Sequence, residues 1–225
     1  METVFWEPDD TASLRRLIRE TDLVRGKRVL EIGTGTGLIA LCCLQAGAAH
    51  VVATDINPHA LVNAAYNADA LGMGERLELR LVDPASPGAY STLREGERFD
   101  LILSNPPWEN QRPQTVAEYA LYDEQFQLLR SLVGGLRSRL TPGGRGYFAY
   151  GCREAIHQLQ QSAVQEGLHV RILDDRDLTR LPEVFLPGML MEVSVPREPA
   201  AAAQPAPSGA VADASEEGTG PAHGP

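Results

Sequence analysis

Arg28-Val29-Leu30-Glu31-Ile32-Gly33-Thr34-Gly35-Thr36-Gly37 decides the fold of this 225-residue chain. A short apolar run with β-branched residues is broken at once by glycines at alternate positions, and Leu38 to Leu44 then reads as an apolar helix. Strand, glycine turn, helix is the nucleoside- or phosphate-binding opening of a doubly wound α/β sheet. Without a Cβ, the glycines permit both the tight turn and the close approach of a ligand to the backbone. A tight turn that holds no ligand is the competing reading.

The spacing separates two cofactor classes. A dinucleotide fingerprint needs Gly-x-Gly-x-x-Gly, so that a pyrophosphate sits on the helix N-terminus, and here Leu38 stands where the last glycine or alanine belongs. Glu31, two residues before Gly33, would face that anion; it suits a cation. The pattern Glu-x-Gly-x-Gly-x-Gly resembles the first signature of class I (Rossmann-like) S-adenosylmethionine (SAM)-dependent methyltransferases. The resemblance implies that Glu31 serves the positive methionine end of SAM, directly or through water. It also implies that Gly33, Thr34, Gly35 and Gly37 cradle the cofactor, with S-adenosylhomocysteine (SAH) as the product.

Downstream, His50 to Asp55 reads as a buried strand ending in an acid. A carboxylate about 20 residues after the glycines meets a ribose hydroxyl in doubly wound folds, so Asp55, with Ile56 beside it, is a cofactor candidate. Asp55 could equally cap the helix predicted from Pro58 to about Leu71. Arg76 to Asp83 alternates polar and apolar like an edge strand. By the resemblance Asp83 meets the adenine amino group; a turn into Pro84 is the alternative.

The remaining pattern predicts a loop over 85–98, a strand over 99–104 and a long helix over 117–140, with Gly134-Gly135 as a possible break. A turn at 141–144, a strand at 146–150, a helix at 154–166 and strands at 169–173 and 189–195 follow. The expected fold is therefore α/β, a doubly wound, seven-stranded, mostly parallel sheet with an antiparallel last strand, as in class I methyltransferases.

The fourth strand runs straight into Asn105-Pro106-Pro107-Trp108. That end of the strand is the carboxyl edge of the sheet, so this stretch and the glycine turn would share one crevice. The four residues resemble the Asn/Asp-Pro-Pro-aromatic motif of amino- and amide-nitrogen methyltransferases. An amide or aromatic amine nitrogen is planar, its lone pair is delocalised, and it is a poor nucleophile. The Asn105 side-chain oxygen and the Pro106 carbonyl can each accept one N–H of an NH2 group, orient it and stabilise the charge that grows on it. Proline holds φ fixed, and Trp108 offers a face for a planar acceptor. Asn105, Pro106, Pro107, Trp108 and Tyr119 are thus the acceptor-site candidates, Asn105 touching the cofactor as well. Glu109, Tyr122 and Asp123 are weaker ones. The bland alternative makes Trp108 a core aromatic and Asn105 a turn residue.

Val4-Phe5, Pro8 and Asp10-Thr11 resemble the corresponding stretch of HemK-like release-factor glutamine methyltransferases of the short type. The resemblance implies that Asp10 and Thr11 contact SAM. Asp9-Asp10-Thr11 also offers caps for a helix to about Leu23, with Leu14, Leu17 and Ile18 on one face. Residues 1–27 thus form a cap segment and helix, and 28–196 the SAM-binding core. Residues 197–225, rich in Ala, Pro and Gly, are an expected disordered tail.

Net charge is −10. A protein that grips nucleic acid phosphates usually shows a basic face; the acidic net charge leaves room for a local patch but makes RNA the lesser acceptor class. Cys42, Cys43 and Cys152 show neither metal spacing nor a disulfide framework, the five histidines form no cluster, and no metal is expected. No run approaches the roughly 20 apolar residues of a membrane span, and a cytoplasmic setting is expected. The expected activity is methyl transfer from SAM to a planar amide or amino nitrogen, on a protein Gln/Asn side chain or a small-molecule amine. The alternatives are an RNA adenine N-methyltransferase, a non-catalytic SAM-binding partner protein, and a SAM-dependent cyclase on the same scaffold.

Overall fold

Seven strands form one sheet in the order β3-β2-β1-β4-β5-β7-β6, in a computed structural model that describes Val4 and residues 7–196. The expected disordered tail and the Phe5-Trp6 part of the opening stretch lie outside the described residues. The strands are β1 (Arg28–Ile32), β2 (His50–Asp55), β3 (Leu77–Leu81), β4 (Phe99–Ser104), β5 (Leu140–Cys152), β6 (His169–Ile172) and β7 (Val184–Ser194). Neighbours from β3 to β5 pair in parallel. β7 inserts antiparallel between β5 and β6. The sheet thus has the expected class, with β1 and β4 side by side at its centre, where the direction of winding reverses.

The period of two along the strands sorts the core into two layers. Leu30 and Ile32, Ile102, Phe148 and Tyr150, and Met189, Met191 and Val193 face one side. There α4 (Gln127–Arg139) and α5 (Arg153–Gln165) cover them. Val29, Val51, Leu101, Leu103, Ala149 and Leu190 face the other. That side is covered by α1 (Ala12–Glu20), α2 (Leu38–Gln45) and α3 (Pro58–Ala70). Glu31 falls on the same parity as Val29. The alternation alone therefore turns a carboxylate toward the start of α2.

Four expectations change. The long helix begins at Gln127 rather than near 117. Two 3-10 turns, Val116–Ala120 and Glu124–Phe126, occupy its expected first half. Asp123 accepts from the N–H groups of Leu128 (2.8 Å) and Leu129 (3.0 Å), satisfying donors that an earlier helical turn would have used. Gly134-Gly135 does not break α4. A Cβ on Gly135 would lie 2.4 Å from the Tyr90 ring, so this glycine makes room for a neighbour. The turn at 141–144 is a bulge inside a longer β5: Phe99 pairs with Leu140 and Leu101 with Arg145. β7 likewise starts at Val184 instead of 189.

Candidate functional site

The carboxyl ends of β1, β2 and β4 open into one cleft, lined by the glycine turn, by Asp55 and Ile56, and by Asn105 and Pro107. Glu7, Pro8 and Thr11 form a wall from the chain before α1, and the segment from Pro113 to Leu128 roofs the opposite side. Position follows from topology: each loop leaves the sheet at the switch point, where the neighbouring crossovers diverge.

The glycine turn is built by backbone geometry. Gly33, Gly35 and Gly37 have φ of 75°, 55° and 82°, which only glycine adopts readily. A Cβ on Gly33 or Gly35 would meet no atom within 4 Å, so their missing side chains leave open space at the cleft. Gly37 is different. Its Cβ would lie 3.0 Å from that of Ala64, and it is absent from the cleft lining; it brings α2 against α3 rather than touching a ligand.

Glu31 is 1 % exposed. Its Oε2 accepts from the Thr34 hydroxyl (2.7 Å) and from the Ala40 N–H (3.0 Å), the third amide of α2. It supplies the N-terminal cap that Gly37 cannot. Burial pushes its carboxyl up to about 8 against these two bonds, with Asp55 raising it further. A buried carboxylate that is costly to ionise and borders a cleft gains by receiving a cation.

Asp55 joins two turns. Oδ2 accepts from the Gly35 N–H and Oδ1 from the Asn57 N–H, both at 2.8 Å. The cap of α3 is Asn57, whose side chain accepts from the His59 N–H, so Asp55 does not have that role. Burial raises the Asp55 carboxyl, against bonds from Asn57 and Gly35. Asp83 lies elsewhere: it is exposed, its Oδ1 accepts from the Ala85 N–H, and Val82 lines the cleft in its place. The turn alternative describes Asp83 in this structure.

Asn105 carries the least satisfied polar group of the cleft. Its Nδ2 donates to Asp10 Oδ2 at 2.6 Å, while its Oδ1 is buried and has no protein partner. Asp10 is itself 0 % exposed and does not line the cleft, so it stands behind Asn105 rather than against a cofactor. Thr11 does line it. Pro106 is buried outside the lining. Trp108 packs against the apolar core, where a Cβ on Gly151 would sit 3.3 Å from its ring. Among the described residues, the aromatic faces at the cleft are Tyr119 and Tyr122. Asp123 also lines it, whereas Glu109 is held by backbone bonds to Leu121 and Asp123.

Sequence reasoning missed Glu7, Val82 and the stretch from Glu124 to Leu128. No spacing announces them; they reach the cleft because loops converge there. Among the described residues no group of three or more His, Cys, Asp or Glu is placed to hold a metal ion. No described helix is long and apolar enough to cross a membrane.

Comparison with known proteins agrees with this fold. The family model described as methyltransferase small domain matches residues 6–145. The release factor glutamine methyltransferase of Cereibacter sphaeroides is 39% identical over 178 residues, covering 71% of this chain and 60% of that protein. The tRNA1(Val) (adenine(37)-N6)-methyltransferase of Vibrio vulnificus is 33% identical over 155 residues, 68% of this chain and 62% of that protein. The chain thus spans about 60% of the length of these curated relatives. The crystal structure of ribosomal protein L11 methylase from Lactobacillus delbrueckii subsp. bulgaricus shares the fold. Its TM-score is 0.63 at 20% identity, over 86% of this chain and 82% of that one.

Proposed function

We propose that this chain, which belongs to the methyltransferase small domain family of SAM-dependent enzymes, moves a methyl group onto a planar amide or amino nitrogen. The observation that carries the reading is Asn105, which lines the cleft and whose Oδ1 is buried without a protein partner. A buried acceptor left unpaired costs about 1–3 kcal/mol, a cost that an incoming N–H donor removes.

The residues present fit SAM. Open space over Gly33 and Gly35 admits a ligand close to the backbone. Glu31 and Asp55 bring carboxylates to a cationic ligand that also has hydroxyls to hold. When bound, SAM supplies an electrophilic methyl on a sulfonium, and the carbon–sulfur pair stays with sulfur as the acceptor's lone pair takes the carbon. Asn105 Oδ1 accepts an N–H of the acceptor, while Pro106, buried outside the lining, stiffens the turn that carries it. That bond aims the nitrogen's lone pair and stabilises the positive charge developing there. The methylated nitrogen then gives its extra proton to solvent water, which completes the transfer. Tyr119 and Tyr122, which line the cleft, offer a planar acceptor aromatic surface. Trp108 supports the motif from the core.

The lining favours a protein amide or small-molecule amine. It carries Glu7, Glu31, Asp55, Asp123 and Glu124, and no Lys, Arg or His among its described residues. A phosphate chain entering there would meet repulsion. The tRNA-directed relative keeps adenine as the second reading.

Labelled methyl transfer from SAM into fractionated host extract tests this. Label is expected in protein or small-molecule amide or amine, with SAH released. Label in RNA would select adenine. Methylthioadenosine in place of SAH would indicate cyclase chemistry, and tight SAM binding with no turnover a silent partner.

A further inference from the structure

We propose that Asp10 is a positioning residue: it sets which way the Asn105 amide faces, and so aims the oxygen that receives the acceptor nitrogen. The inference rests on the nitrogen-transfer reading of Asn105. It also gives Asp10 a different role from the cofactor contact expected of it.

The two residues lie 95 positions apart and meet through one bond, Asn105 Nδ2 to Asp10 Oδ2 at 2.6 Å. An ionised carboxylate accepts hydrogen bonds and donates none. Only the NH2 end of the amide can face it. The flipped amide would set oxygen against oxygen and would turn two donors toward an acceptor that itself brings donors. Asp10 thus leaves Oδ1 as the unpaired end of an amide that lines the cleft.

Asp10 is held firmly enough to do so. Arg15, on the first turn of α1, donates from Nη2 to the Pro8 carbonyl (2.5 Å) and from Nε to the Thr11 hydroxyl (3.0 Å), bracing the turn that carries Asp10. Ser13 donates to the Gly188 carbonyl of β7 at 3.1 Å. A Cβ on Gly188 would come within 3.3 Å of Asp10 Oδ1, so β7 closes over the carboxylate from behind. Its Oδ1 has no protein partner there. Burial pushes Asp10 up to about 6, the Asn105 bond pulls it down, and the Glu7 carboxylate nearby raises it further. Protonation removes the constraint, since a neutral carboxyl can donate as well as accept.

The test is Asp10→Asn, which keeps shape but can present either a donor or an acceptor to Asn105. Its kcat for methyl transfer into extract should fall about 10- to 100-fold, the scale of a misplaced reacting group, with SAH affinity unchanged. The wild-type rate should rise as pH climbs through about 6, and the variant should lack that limb. A readout free of any acceptor is the Asn105 side-chain amide in protein labelled with 15N-asparagine. Its signal should titrate near pH 6 in the wild type. Wild-type activity with the same acid limb in Asp10→Asn, or an Asn105 amide indifferent to pH, would overturn the proposal. An active Asn105→Ala protein would strike the nitrogen-transfer reading instead, and the amide titration would still decide what Asp10 does to Asn105.

Discussion

Glu31 shows how one side chain serves fold and chemistry together. It caps α2 through Ala40 and borders the cleft, at the cost of a carboxyl pushed up to about 8. Near pH 7 it is mostly protonated without ligand. A sulfonium or ammonium beside it favours the ionised form, so SAM binding at pH 7 should release close to one proton. Calorimetry in buffers of different ionisation enthalpy reads this directly; Glu31→Gln should bind with no buffer dependence. A wild-type enthalpy equal in all buffers would remove the cation role. The folded value lies above the ordinary 4.5, so the native state binds more protons than the unfolded chain. Glu31 therefore lowers stability as pH rises from about 4.5 through 8. The ligand-free protein should melt lower at pH 8 than at pH 6, and Glu31→Gln should flatten that difference. Glu31, Asp55 and Asn105 were legible in the sequence because strand ends and a glycine turn fix where they emerge. Asp10 was legible as a candidate, but its bond to Asn105 was not, because a contact across 95 residues leaves no local pattern.

At the scale of elements, burial overrode propensity in α4. Paired glycines suggest a break, yet Gly135 sits inside a continuous helix because Tyr90 fills the space a side chain would need. The Tyr90 hydroxyl donates to the Leu132 carbonyl at 2.7 Å and pins the ring there. Gly135→Ala should therefore destabilise the protein by about 1–3 kcal/mol through overpacking, although alanine raises intrinsic helix propensity by ~1 kcal/mol. The urea midpoint checks the sign: a stabilised variant would mean the ring moves aside freely. The central strands β1, β2 and β4 matched expectation at both ends because apolar runs, glycines and acids bound them. The start of α4 did not. The 113–126 stretch is polar and helix-compatible in sequence, and its true form depends on Asp123 capping a helix that begins later. The bulge in β5 was hidden for a similar reason, since Thr141-Pro142-Gly143-Gly144 reads locally as a turn.

For the whole molecule, the sheet order brings two separated signatures, the glycine turn after β1 and Asn105-Pro106-Pro107 after β4, into one cleft. Neither stretch alone points to nitrogen chemistry; the proposed reading rests on their meeting at the switch point. What the sheet order does not fix is the acceptor, because the 113–128 side of the cleft is loop, two 3-10 turns and the start of α4, shaped by packing rather than by strand register. The measurement that bears most directly on the account is Asn105→Ala, assayed in parallel for labelled methyl transfer and for SAH affinity. Transfer should drop at least about 100-fold, as when one charge-stabilising group is removed from an active site, while SAH binding changes less than about threefold. Equal losses in both would make Asn105 a cofactor ligand only, and undiminished transfer would contradict its role in aiming the nitrogen.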